Sequence, residues 1–195
     1  MKKNHIGYVL IIVILGGGLL AWQSGWLNGS TGGVALPFTV TNFEECLTAG
    51  NAVMESYPRQ CRHEGVTYAE NIGNELEKAD MIRLSNPRPG QTVASPVTIT
   101  GEARGMWYWE ATFPIAITDW DGRIIGEGYA EAVLDPNDPE STWMTENFVP
   151  FKAVLNFTIL PESAHSDRGT LILQKANASD LPENDDALEI PVILK

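Results

Sequence analysis

Positive charge is scarce in this chain, and so are cysteine and histidine. Thirteen Lys and Arg stand against 25 Asp and Glu, a formal charge of −12. Lys2 and Lys3 precede the first apolar run, so everything after Trp22 holds 11 basic and 25 acidic residues, net −14. Such a surface repels phosphate backbones, which excludes a nucleic-acid partner. Two cysteines are too few for a disulfide-dense scaffold but enough for one bridge. His5, His63 and His165 leave little material for His-based metal or nucleophile chemistry. There is no G-x-S-x-G, no P-loop and no dinucleotide glycine fingerprint. No cofactor is expected, and the chain is not expected to be an enzyme.

One long apolar run is present. Ile6 to Trp22 carries no charge and follows Lys2 and Lys3. As a helix it spans roughly 25 Å, at the short end for a membrane crossing. Trp22 and Trp26 stand where an interfacial aromatic belt would sit. The next cation is Arg59, so the positive-inside bias predicts a cytoplasmic tail and an extracytoplasmic remainder. A cleaved signal peptide is the competing reading, but bulky Trp22 follows Ala21 where a small-x-small site would be needed. The expected organisation is a tail and signal-anchor over 1–27, contacting membrane lipid, and a small-residue linker over 28–37. A two-Cys segment with an acidic linker follows over 38–80, then a β domain over 81–195. The acidic stretch Ala69–Asp80 reads as a second linker or a short exposed helix.

The fold class follows from alternation after Met81. Phe113, Ile115 and Ile117 share one strand face, and Phe151, Ala153, Leu155, Phe157 and Ile159 share another. Period two over that length predicts strands with one face on a core and one in water. Asp121-Gly122 is a hairpin signal, since Gly accepts the positive φ of a tight turn. About seven short strands and no convincing amphipathic helix predict an all-β sandwich. In Trp107-Tyr108-Trp109, strand alternation puts the two tryptophans on one face, and Trp109 is expected in the core. Glu110 is expected to pair with Arg104 or Arg123 or to accept backbone N–H groups. Asp119 and Asp121 resemble the start of a calcium loop but lack the later ligands, so the hairpin is preferred.

The segments NPRPGQTVASPVTITGEARG, MWYWEATFPIAITDWDGRIIGEGYAEA, WMTENFVPFKAVLNFTI and GTLILQKANASDLPENDDALEIPV follow one another over roughly 82–194. Together they resemble the immunoglobulin-like domain of bacterial spore germination proteins. The resemblance implies a non-catalytic immunoglobulin-like sandwich exposed outside the cytoplasmic membrane, and it brings no ligand or site residues. NFEECLTAGNAVMESYPRQCRHEGVTYAEN likewise resembles a short Cys-containing segment of exported bacterial proteins. Cys46 and Cys61, with 14 residues between them, read as a structural disulfide in an oxidising compartment. A free pair and a metal site are the alternatives, and no CxxC spacing or further Cys supports the latter.

The expected function is a membrane-anchored, single-pass binding or scaffolding protein of the bacterial cell envelope. Its partner would be an envelope protein or a cell-wall ligand. Recognition of wall glycan or peptide by exposed aromatics, and an envelope hydrolase or its accessory, are the other readings. Sandwich domains place recognition on end loops and free edges. The loops Asp135–Glu140 and Pro161–Arg168 are therefore the candidates, with Asp135, Asp138, Glu140 and His165 as binding residues.

Overall fold

The computed structural model describes residues 39–195. The expected membrane helix and the linker after it lie outside these residues. Among the described residues no helix is long and apolar enough to cross a membrane.

The first region is small and stapled. Helix α1 (Phe43–Thr48) is capped by Asn42, whose side chain accepts the Glu45 N–H at 2.9 Å, and Glu45 reaches back to the Thr41 N–H at 2.7 Å. These contacts satisfy donors that a helix start leaves unpaired. The chain leaves α1 through Gly50 at φ +81°, a left-handed exit that suits glycine. Strands β1 (Val53–Met54), β2 (Gln60–His63) and β3 (Val66–Ala69) form an antiparallel sheet in that order. The Cys46–Cys61 disulfide ties α1 to β2, with Cα atoms 6.1 Å apart. Val40, Phe43 and the two half-cystines make the core, with Leu47 and Tyr68 packed against it.

The acidic stretch that follows is pinned to the second region. It carries α2 (Glu75–Lys78), a single turn. Asn74 bonds the backbone of the last strand three times: N to Glu189 O at 3.2 Å, Nδ2 to Ala187 O at 2.9 Å, and Oδ1 from Glu189 N at 2.8 Å. Arg88 adds a second tie, bonding Glu75 at 2.7 Å and the Tyr57 hydroxyl at 2.7 Å, while that hydroxyl donates to Glu75. Burial, followed by the hydrogen bond to Glu75, pushes the Tyr57 phenol up to about 12.

The second region is all β. Strands β4 (Ile82–Asn86), β5 (Thr92–Val93), β6 (Val97–Arg104), β7 (Thr112–Asp119) and β8 (Ile124–Ala132) are followed by β9 (Phe148–Leu155), β10 (Arg168–Gln174) and β11 (Ala187–Leu194). They form one hydrogen-bonded order, β4-β6-β9-β8-β7-β10-β11-β5. The limb β4-β6-β9 folds over the rest, so both contribute to one buried cluster. Phe113 of β7 meets Phe151 of β9 edge to face at 5.0 Å. Eight strands stand where about seven were expected. The extra one arises at Asn86-Pro87-Arg88-Pro89-Gly90, where two prolines cannot donate to a ladder. The chain there leaves β6 and crosses to pair in parallel with β11, as β5.

Alternation reads the inner faces correctly at β7 and β9. It overruns at the end of β9, because the strand stops at Leu155 and Ile159 is partly exposed. It also places Ala116 and Thr118 on a watery face, whereas both are buried.

Candidate binding surface

The two loops singled out from the sequence lie at opposite ends of β7. Ala132, just before the 135–140 loop, donates to Ala111 O at 2.8 Å, beside the start of β7. Ser163, within the 161–168 loop, donates instead to Asp119 at its end. Eight residues of strand put on the order of 25 Å between those ends. Asp135, Asp138 and Glu140 therefore do not converge with His165 on one site. Asp135 accepts the Asn137 N–H at 2.8 Å and Asp138 accepts the Glu140 N–H at 2.9 Å, so both carboxylates brace their own turns. Glu140 and His165 are exposed. Among the described residues no group of three or more His, Cys, Asp or Glu is placed to hold a metal ion.

Asp119 closes the β7–β8 hairpin. Its Oδ1 accepts the N–H groups of Asp121 at 3.0 Å and Arg123 at 2.9 Å, and its Oδ2 accepts the Ser163 hydroxyl. Foremost the Ser163 bond, and then these amides, hold the carboxyl below the usual aspartate range. Gly122 takes φ +78° at the turn, as the Asp-Gly signal implies.

The aromatic triplet departs from expectation. Gly105–Trp107 is a 3-10 turn, so strand alternation does not apply to it. Trp107 and Tyr108 are both buried, and Trp109 is 55% exposed rather than in the core. The Tyr108 hydroxyl donates to Val149 O at 2.7 Å, and burial pushes its phenol up. After Trp109 the chain reverses in two residues: Trp109 and Thr112 exchange backbone hydrogen bonds at 2.9 and 3.0 Å. Glu110 at φ +51° and Ala111 at φ +60° form the tip. Positive φ at both central residues is the type I′ hairpin turn, which prefers Asn-Gly. Glu110 does not pair with either expected arginine. Arg123 pairs with Glu162 at 2.8 Å, and Arg104 donates to Glu146 O at 2.7 Å and lies over the Phe148 ring.

Sequence reasoning missed the groove beside the seam of the two limbs. Strands β8 and β9 pair only at Glu131–Lys152 and Ala132–Phe151. The same register recurs further along, where Thr158 N donates to Ile125 O at 3.1 Å. Between these ties no ladder pair joins them. A groove of about 530 Å³ lies at the opening, lined by Tyr129, Val133, Leu134 and Val154 with Glu131 and Lys152. Tyr129 is 67% exposed and Val154 58%. The only advance signal is weak: EGYAEAVL runs apolar through Val133 and Leu134 just where the strand ends.

A family model for the immunoglobulin-like domain of bacterial spore germination matches residues 81–180. The chain belongs to that family. No curated protein and no solved structure matches it significantly. The match stops short of β11, yet β11 pairs with β10 from Ala187 to Ile193, so the immunoglobulin-like domain runs on past it. The disulfide-stapled region precedes the match altogether. The family is not known for catalysis.

Proposed function

We propose that this chain is a membrane-anchored binding or scaffolding protein of the bacterial cell envelope, its immunoglobulin-like domain held outside the cytoplasm and performing no catalysis. The observation that carries this reading is the family domain itself, whose surface offers an open groove edged by the exposed side chains of Tyr129 and Val154. The Cys46–Cys61 bridge supports the compartment, since such bonds persist in oxidising surroundings. The cationic start before Ile6–Trp22 supports the topology. Crosslinked envelopes should yield a reproducible partner when the whole protein is the bait. Protease added to wall-stripped cells should remove a carboxyl-terminal tag. A mature chain starting between Ala21 and Leu36 would reject the anchor.

A second reading, glycan recognition in the wall, is favoured by the exposure of Trp109 and Tyr129. Exposed aromatic faces suit sugar stacking. Trp109→Ala should then abolish binding to wall fragments without moving the thermal midpoint. Unchanged binding dismisses this reading.

A further inference from the structure

We propose that the groove at the β8–β9 opening docks an extended, apolar segment bearing Lys or Arg from a partner protein. The inference rests on the binding reading above and names its surface and ligand chemistry. Single exposed apolar side chains are ordinary on a protein surface, whereas several around one concavity mark an interaction site. Tyr129, Val133, Leu134 and Val154 are 37–67% exposed and line the same groove. The shape suits extended backbone: the groove runs along the end of β8 and residues 152–154 of β9, a course that a strand-like segment can follow.

Charge selects the occupant. Glu127, Tyr129 and Glu131 alternate on the exposed side of β8, and Asp135 follows Leu134 directly. Among the lining residues Glu131 and Lys152 balance, so the carboxylate excess at the groove comes from Glu127 and Asp135 beside it. The region after Trp22 carries net −14. A second copy of this chain would bring the same negative field to the contact, which opposes self-pairing. A basic segment is drawn in by that field. Its aliphatic side chains then take the contacts that Tyr129 and Val154 leave open.

The test uses the full-length protein in a neutral detergent and a fluorescein-labelled decapeptide of alternating Lys and Val, read by anisotropy. The same peptide with Glu in place of Lys is the comparison. The Lys/Val peptide should bind at least tenfold tighter than the Glu/Val peptide. Tyr129→Ser combined with Val154→Thr should weaken it at least tenfold, with an unchanged thermal midpoint. Glu131→Lys should weaken it as well. Equal binding of the two peptides, or an affinity within twofold in the groove variant, overturns the proposal. A photocrosslinker placed at 129 that joins two copies of this chain overturns it in favour of self-association. In crosslinked envelopes, a partner captured equally by wild-type and groove-variant bait refutes the groove and leaves the scaffold reading standing. A wild-type bait that captures nothing refutes the scaffold reading, while the peptide isotherms still decide the groove.

Discussion

The stapled region closes around four buried side chains, two of them half-cystines, whereas the immunoglobulin-like domain buries a cluster of twenty-three. A core of four cannot offset the conformational entropy of some thirty ordered residues, so the covalent tie does what burial cannot. The larger domain has no such need, and its disulfide-free core is built from strand faces that also form the ladder. The two cores are separate, yet residues 39–195 form one compact unit. Polar ties run between them: Asn74 on the backbone of β11, and Tyr57 and Glu75 on Arg88. Apolar packing builds each region, and these hydrogen bonds and the Arg88–Glu75 ion pair tie one to the other.

The largest effect should come from the bigger core. Phe151 is 1% exposed and packs edge to face on Phe113. Phe151→Ala should cost about 3–5 kcal/mol in the free energy of unfolding, the range for truncating a large buried aromatic. Trp109→Ala, at an exposed hairpin, should stay within about 0.5 kcal/mol. Denaturant titrations of the two variants check the contrast. Similar losses for both would mean that Trp109 packs in solution as the core residue its sequence neighbours suggest.

Removing the staple should cost less and act locally. Cys46→Ser opens a loop with a sequence separation of 15, worth about 3 kcal/mol in the chain-entropy account. Amide exchange should quicken across 39–70 and stay slow in β6, β7 and β9. Equal acceleration in those strands would erase the comparison, showing both regions to unfold as one cooperative body.

The larger domain was the legible one. Where a strand is half buried, its burial pattern is written in the chemistry of alternate residues, as at Phe113, Ile115 and Ile117. The Asp121-Gly122 turn was readable for a similar reason, because glycine there answers a backbone demand. The Trp109 hairpin was not, since Glu110 and Ala111 are residues that no turn signal contains. The 3-10 turn at Gly105–Trp107 hid the burial of Tyr108, because a break of one short turn resets the period. Of the binding surface almost nothing was legible. The groove brings the end of β8 beside residues 152–154 of β9, and the tie of Asn74 to Glu189 spans more than a hundred residues; neither is a local property of sequence.

That tie can be cut at one position. Gly73 sits at φ +65°, and a Cβ there would lie 1.8 Å from Glu189 O. Gly73→Ala should cost about 1–3 kcal/mol in backbone strain alone, and the carbonyl contact forces a displacement besides. The expected readout is faster exchange at 72–78 and around Glu189, with the β1–β3 sheet and its disulfide intact. If exchange at Glu189 is unchanged, then Arg88 with Glu75 and Tyr57 suffices to hold the two regions together.

The smallest effect should be a gain. Glu110 and Ala111 both occupy the left-handed region, which costs an L-residue with a side chain roughly 1–2 kcal/mol. Asparagine tolerates that conformation and glycine adopts it freely, so Glu110→Asn with Ala111→Gly matches the turn to its preferred pair. Glycine's extra freedom in the unfolded chain takes back part of the relief. The net stabilisation expected is about 1 kcal/mol, a rise of roughly 2–4 °C in the thermal midpoint for a chain of this size. The backbone bonds between Trp109 and Thr112 stay in place, so Trp109 remains exposed and the glycan reading expects wall-fragment binding to be preserved. A midpoint that falls would show that the Glu110 side chain makes a stabilising contact outweighing its strain. A midpoint that rises while wall binding disappears would assign Glu110 a part in recognition, and would move the glycan reading from Trp109 to the hairpin tip as a whole.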